Sequence, residues 1–200
     1  MTDRIGPGAF IAVVGASGVG KDTLLDAARE RCGASVLFPR RSITRAAGPG
    51  EDYAPLTTAE FALAEQRGQF AVSWSAHGLD YGIPSTIDAA IRVGRPVVAN
   101  VSRGILDELA ERYSRLVVVR ITVPDAVRAQ RLHARNREGG ADIARRLERA
   151  DPSLARPVDH EICNDKTIAD ACGQLMRVIE AHSHEEHSHE VHSHARTETT

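Results

Sequence analysis

The apolar residues of the chain fall into two alternating rhythms. Ala-Phe-Ile-Ala-Val-Val at 9–14 is a short continuous apolar run rich in β-branched residues, followed by a glycine-rich turn. From Lys21 to Arg31 the apolar positions Leu24, Leu25, Ala27 and Ala28 take helical spacing instead. The same exchange recurs downstream. Val97-Val98-Ala99 and the run Leu116–Ile121 read as buried strands, helical patterns follow at about 103–112, 124–135 and 141–150, and a last strand and helix lie near 158–163 and 167–181. Strands that are apolar on both sides and alternate with helices predict an α/β fold, a parallel sheet flanked by helices.

The stretch 40–82 interrupts this alternation. It opens with Arg40, Arg41 and Arg45, passes through Gly-Pro-Gly at 48–50, and carries Thr57-Thr58-Ala59-Glu60, the spacing of a capping box that starts a helix. A strand-like run follows at 69–75. An insertion of this kind is expected at the carboxyl edge of the sheet, where open α/β sheets hold their ligands.

Gly15-Ala16-Ser17-Gly18-Val19-Gly20-Lys21-Asp22 fits G-x-x-x-x-G-K after a strand and at the start of a helix, the setting that gives this pattern its meaning. Glycines let successive N–H groups turn toward phosphate oxygens, and the helix N-terminus adds positive potential. Lysine brings a compact charge where the planar fork of arginine fits poorly. The position that normally carries a metal-binding hydroxyl holds Asp22, followed by Thr23. Asp22 reads either as a hard oxygen ligand for Mg²⁺ or as an acid suited to a first helical turn. The strand at 97–99 ends in Asn100 rather than an acid, so Asp22 is the carboxylate at hand. Arg131, Arg135, Arg137, Arg145 and Arg146 surround Asn136-Arg137-Glu138-Gly139-Gly140, and we read 131–147 as a lid whose arginines neutralise charge on a transferring phosphoryl group.

Composition sharpens this picture. At 200 residues and 42% apolar the chain fits one domain, expected over 1–181. No run approaches the roughly 20 apolar residues of a membrane span, nor does a secretory pattern open the chain, so a cytoplasmic protein without membrane partners is expected. Cys32, Cys163 and Cys172 are odd in number and lack CxxC spacing, which argues against a disulfide framework or zinc knuckle. A net charge of −2 excludes a basic nucleic-acid binder. Of 25 Lys and Arg residues only Lys21 and Lys166 are lysine, so the lysine of the phosphate loop stands out against a background of arginine.

The segment 182–200 holds six of the nine histidines in three His-Ser-His units. Nearly devoid of apolar residues, it is expected to be disordered, either as a passive solvated tail or as a binder of divalent metal.

With these motifs in place, the chain from Phe10 to about Ala181 resembles the guanylate-kinase-like branch of the P-loop kinases. Ser42-Ile43-Thr44-Arg45 resembles that branch's substrate-phosphate motif, Asp80-Tyr81-Gly82 its tyrosine-glycine segment, Arg131–Leu147 its lid, and Asn164-Asp165 its loop near adenine. Where guanylate kinases place a Glu on the guanine edge, this chain has Val72; Ile83 and Val101 replace two further polar positions. Arg41 stands where a Ser contacts the nucleotide phosphate. A pocket without base-edge partners and with an added cation suits a sugar phosphate.

Within the branch, Gly-Lys-Asp at 20–22, Arg-Ser-Ile-Thr-Arg at 41–45, Ser-Trp-Ser-Ala-His-Gly-Leu at 73–79 and Asn100-Val-Ser-Arg103 resemble the ribose 1,5-bisphosphate phosphokinases, a family associated with bacterial phosphonate degradation. The resemblance implies that ATP, with Mg²⁺, phosphorylates ribose 1,5-bisphosphate to 5-phosphoribosyl 1-diphosphate (PRPP). It assigns the ATP phosphates to Gly15–Thr23, with Lys21, Asp22, Arg135 and Arg146 catalytic. The sugar phosphate falls to Arg41, Ser42, Thr44, Arg45, Trp74, His77, Tyr81, Ser102 and Arg103. Trp74 and His77 keep a packing and a loop-forming reading beside this one. Two other functions stand as alternatives: a nucleoside monophosphate kinase, and a non-catalytic interaction module that would not need an intact phosphate loop.

Overall fold

The computed structural model describes residues 3–47, 52–135 and 156–183. The Gly-Pro-Gly loop at 48–50, the helix expected at 141–150, Arg137, Arg145 and Arg146, and the histidines from His184 onward lie outside the described residues, as does the side chain of Arg135.

Four parallel strands form the central sheet in the order β6-β1-β7-β8, with β1 Phe10–Val14, β6 Val97–Asn100, β7 Leu116–Thr122 and β8 His160–Cys163. Phe10 pairs with Val97 on one side and Leu116 on the other. Because successive side chains leave opposite faces of a strand, the apolar run of β1 serves two cores. Ile11 and Val13 pack with Leu24 and Ala28 of α1 (Lys21–Cys32) and with Leu175 and Ile179 of the last helix, α6 (Ile168–Ser183). Phe10, Ala12 and Val14 pack on the other face with Ile87 and Ile91 of α3 (Ile87–Arg92) and Leu106 and Leu109 of α4 (Leu106–Arg112). On that second face Asp88 is buried, accepting hydrogen bonds from Tyr113 Oη (2.8 Å) and from Arg112, while Tyr113 stacks on Phe10 at 5.2 Å. Burial and the Asp88 carboxylate push the Tyr113 phenol well above its usual pKa.

The insertion forms its own sheet, β3-β2-β5-β4, from β2 Ser42–Ile43, β3 Ala54–Pro55, β4 Phe70–Ala76 and β5 Leu79–Pro84, with α2 Thr58–Gln66 between β3 and β4. The capping box is formed: Thr57 Oγ1 accepts from Glu60 N (3.2 Å) and Glu60 Oε2 accepts from Thr57 N (2.7 Å). The bonds that the Glu60 carboxylate accepts from Thr57 N and Thr57 Oγ1 hold it below its ordinary pKa. β4 and β5 are an antiparallel hairpin whose turn residues, His77 and Gly78, both have positive φ (56° and 75°), the backbone that a tight two-residue turn requires. Ala71, Val72 and Ile83 from this hairpin join the second core, so the insertion shares apolar interior with the main sheet. Asp52 adds a polar tie, paired with Arg29 of α1 and with Arg40, each at 2.9 Å.

The structure departs from the pattern reading in three places. β2, β3, β5 and α3 were not expected as elements; all are short and carry too few periods to register. The pattern at 103–112 splits into a 3₁₀ turn, Arg103–Ile105, and α4. The last helix runs through His182 to Ser183, two residues into the segment expected to be disordered, because the His182 ring packs against His160 of β8. All three cysteines are free thiols. Among the described residues no helix is long and apolar enough to cross a membrane.

Candidate active site

The carboxyl ends of the parallel strands all open on one edge, and the loop after β1 lies there. Gly15, Gly18 and Gly20 have φ of 150°, 89° and 89°. At Gly20, the N-cap of α1, a side chain would also collide with Asn164, whose Nδ2 lies 2.7 Å from where a Cβ would stand. Lys21 folds back over the loop and donates to the carbonyls of Gly15 (2.8 Å) and Ala16 (3.0 Å). Val19 is buried, while Ser17, Asp22 and Thr23 are exposed along the rim.

Three side chains brace the loop from outside. Asn164, fully buried after β8, donates to Val19 O (2.9 Å). Arg131 of α5 (Asp125–Arg135) donates to Asn164 O (2.9 Å) and Val19 O (3.3 Å). Arg128, only 6% exposed, donates from Nε to Ser17 O (3.1 Å). Arg131, expected at the start of the lid, is therefore fixed to the phosphate loop at its base. Arg128 was not singled out in the sequence, where its one signal is its place three residues before Arg131 on the same helical face.

Asp22, Arg41 and Asn100 are brought together from three separate elements. Asp22 Oδ1 accepts from Asn100 Nδ2 (2.9 Å) and Arg41 Nη2 (3.2 Å), and Arg41 Nη1 donates to Asn100 O (3.2 Å). The end of β6 thus clamps the first turn of α1 to the start of β2. Just beyond, Ser102 caps the 3₁₀ turn by accepting from Gly104 N at 3.4 Å. Burial pushes the Arg103 guanidinium below its usual pKa, and the neighbouring charges of Arg120 and Arg128 push the same way. Positive charge is concentrated on this flank.

The remaining predicted residues engage partners within the insertion. Ser42 lies on β2, and Thr44 is tied to the hairpin, its Oγ1 accepting from Asp80 N (2.8 Å). The Arg45 guanidinium lies 5.0 Å from the centroid of the buried Tyr53 ring. Trp74 and Tyr81 face each other across the hairpin and stack at 5.3 Å with rings 6° from parallel. His77 sits exposed at the hairpin tip. Among the described residues no group of three or more His, Cys, Asp or Glu is arranged to hold a metal, so Asp22 stands as a single carboxylate beside the loop.

Known proteins place this architecture. A family model described as an AAA domain matches residues 10–157. A protein from Pseudofrankia inefficax named ribose 1,5-bisphosphate phosphokinase PhnN is 62% identical over 179 residues, 90% of this chain and 94% of that protein. The chain belongs to the ribose 1,5-bisphosphate phosphokinase family. A member from Bradyrhizobium diazoefficiens with the same name is 44% identical over 91% of this chain and 93% of its own. A crystal structure of guanylate kinase from Anaplasma phagocytophilum superposes with a TM-score of 0.65 at 17% identity, covering 90% of this chain and 89% of that one, and shows the shared P-loop kinase fold.

In this chain, the positions that resemble guanine-reading sites in guanylate kinases are interior. Val72, Ile83 and Val101 are 2%, 0% and 5% exposed, and all three belong to the second core.

Proposed function

We propose that the chain transfers the γ-phosphoryl group of ATP to the 1-phosphate oxygen of ribose 1,5-bisphosphate, giving PRPP and ADP. The observation that carries this reading is the burial of Val72, Ile83 and Val101. With apolar core side chains there, a purine edge has no partner, and its unpaired polar atoms would count against binding. The names borne by the relatives point the same way.

In this reading the backbone of Gly15, Ala16, Ser17, Gly18, Val19 and Gly20, with Lys21 and Thr23, receives the nucleotide phosphates at the start of α1. Arg41, Ser42, Thr44, Arg45, Ser102 and Arg103 hold the phosphates of the acceptor, and Trp74, His77 and Tyr81 border its ribose. Arg135 and Arg146 approach the transferring group from the lid. The acceptor oxygen is already anionic near neutral pH, so no general base is required. The chain's task is alignment and charge neutralisation.

The donor set fits Mg²⁺, which uses one or two protein carboxylates and takes its other ligands from phosphate and water. Asp22 would hold it, with its carboxylate oriented by Asn100 and Arg41. When bound, Mg²⁺ neutralises the β- and γ-phosphate oxygens. Incubating the protein with ATP, Mg²⁺ and either ribose 1,5-bisphosphate or GMP, with products identified by phosphorus NMR, tests the assignment. A new diphosphate on the sugar's C1 is expected; turnover of GMP in its place would overturn it.

A further inference from the structure

The peptide unit between Ser17 and Gly18 is gripped from its interior side by α5. Arg128, only 6% exposed, donates from Nε to Ser17 O at 3.1 Å. One helical turn further on, the buried Leu132 fills the space beside Gly18, where a Cβ would stand 2.9 Å from its Cγ. Residues four apart share a helical face, so one face of α5 supplies both contacts. Gly18 itself is held with φ of 89°, backbone that side-chain-bearing residues rarely adopt. The next carbonyl along that is gripped, Val19 O, belongs to Asn164 and Arg131 instead.

Capturing a carbonyl fixes more than the carbonyl. A trans peptide unit is planar, so its C=O and N–H point in opposite directions. With Ser17 O held toward the buried Arg128, the N–H of Gly18 is turned away from the interior, toward the rim where Ser17 is exposed. Glycine gives the loop the freedom to take this shape, and the same freedom would let the peptide unit rotate out of it. The bond from Arg128 opposes that rotation. A guanidinium suits the task, because its charge-assisted bonds are roughly twice as strong as neutral ones and it stays protonated. Its charge also reaches the flank of the site, where Arg103 responds to it. Packing α5 against the loop calls for none of these properties. An aliphatic side chain would fill the place without the cost of taking a cation out of water.

We propose that Arg128 is a positioning residue for the nucleotide: by holding Ser17 O, it presents the N–H of Gly18 to the phosphates. This role rests on the reading of Gly15–Thr23 as the nucleotide side and is independent of which acceptor is phosphorylated.

Amide NMR of the isotope-labelled full chain, titrated with ADP and Mg²⁺, reads the role directly. In the unsubstituted protein the amide protons of Gly18 and Lys21 should both move downfield as they meet phosphate oxygens. Arg128→Met keeps an unbranched side chain without donor or charge. It should lose most of the Gly18 shift while keeping that of Lys21, and its Kd for ADP should rise about tenfold. Arg128→Lys, which can donate to a carbonyl as Lys21 does, should recover most of that affinity. In turnover, Arg128→Met should raise the KM for ATP while the acceptor KM stays within about twofold of the parent. A Kd for ADP in Arg128→Met within about twofold of the parent would overturn the proposal. So would equal losses in the Met and Lys variants, which would trace the effect to packing, or an equal rise in both KM values. The unsubstituted protein gives a test that relies on no variant folding: a Gly18 amide that stays still while Lys21 moves would overturn this role alone. If no amide of the loop responds to ADP, the nucleotide assignment itself falls, and this role with it.

Discussion

The two halves of the active site are built by opposite strategies. On the proposed nucleotide side the ligand-facing groups are mostly main-chain atoms, and buried or half-buried side chains hold that main chain still: Asn164 and Arg131 at Val19, Arg128 at Ser17. On the proposed acceptor side the binding groups are side chains, Arg41 and Arg45 flanking a two-residue strand and Trp74 and Tyr81 on a hairpin. A main-chain cradle recognises a group that P-loop proteins share, and its architecture leaves little room to vary. A side-chain pocket can be refitted one residue at a time. The difference shows how one fold can be fitted to different acceptors.

The largest effect expected from this contrast is at Lys21. Lys21→Arg keeps the charge but cannot place a compact ammonium between the Gly15 and Ala16 carbonyls. Steady-state kinetics should show kcat reduced by about 100-fold or more. Near-normal turnover would contradict the main-chain cradle. Arg41→Ala should act more selectively. It removes a charge-assisted donor from the acceptor side, raising the acceptor KM by about tenfold or more while the KM for ATP changes far less. An equal rise in both would show that the Asp22–Arg41–Asn100 network belongs to the nucleotide half instead. Thr57→Ala, the mildest change, breaks the capping box of α2 and should lower Tm by about 3 °C. Both KM values should stay put, since α2 supports the hairpin from behind.

What could be read in the sequence follows the same division. The phosphate loop is contiguous, so Gly15 through Asp22 declare it, and the apolar runs of β1, β6, β7 and β8 are legible because a parallel strand covered on both faces has no polar side to obscure it. The capping box at 57–60 is a local device and was equally plain. Arg128 was not, because its partner Ser17 O lies 111 residues away and an arginine on a helix reads as solvated until the fold buries it. The convergence of Asp22, Arg41 and Asn100 is likewise a product of chain topology: each could be named alone, but their shared hydrogen bonds could not. β5 contains Asp80-Tyr81-Gly82, legible as a motif, while its strand character depends on pairing with β4 and β2. The stack of Trp74 on Tyr81 depends on that register too.

The burial of Val72 also bears on how such a site can change over time. Placing a base-reading carboxylate at a position 2% exposed would strip it of water among Ala71, Ile83 and Ile87, at a cost of several kcal/mol. That is a large share of the ~5–15 kcal/mol that holds a domain folded. A carboxylate placed at Val72 would therefore cost stability before it could add any recognition of a base. Its neighbours must move first. The interior of the protein, and not only the surface of a pocket, thus bears on which ligands the insertion can come to read.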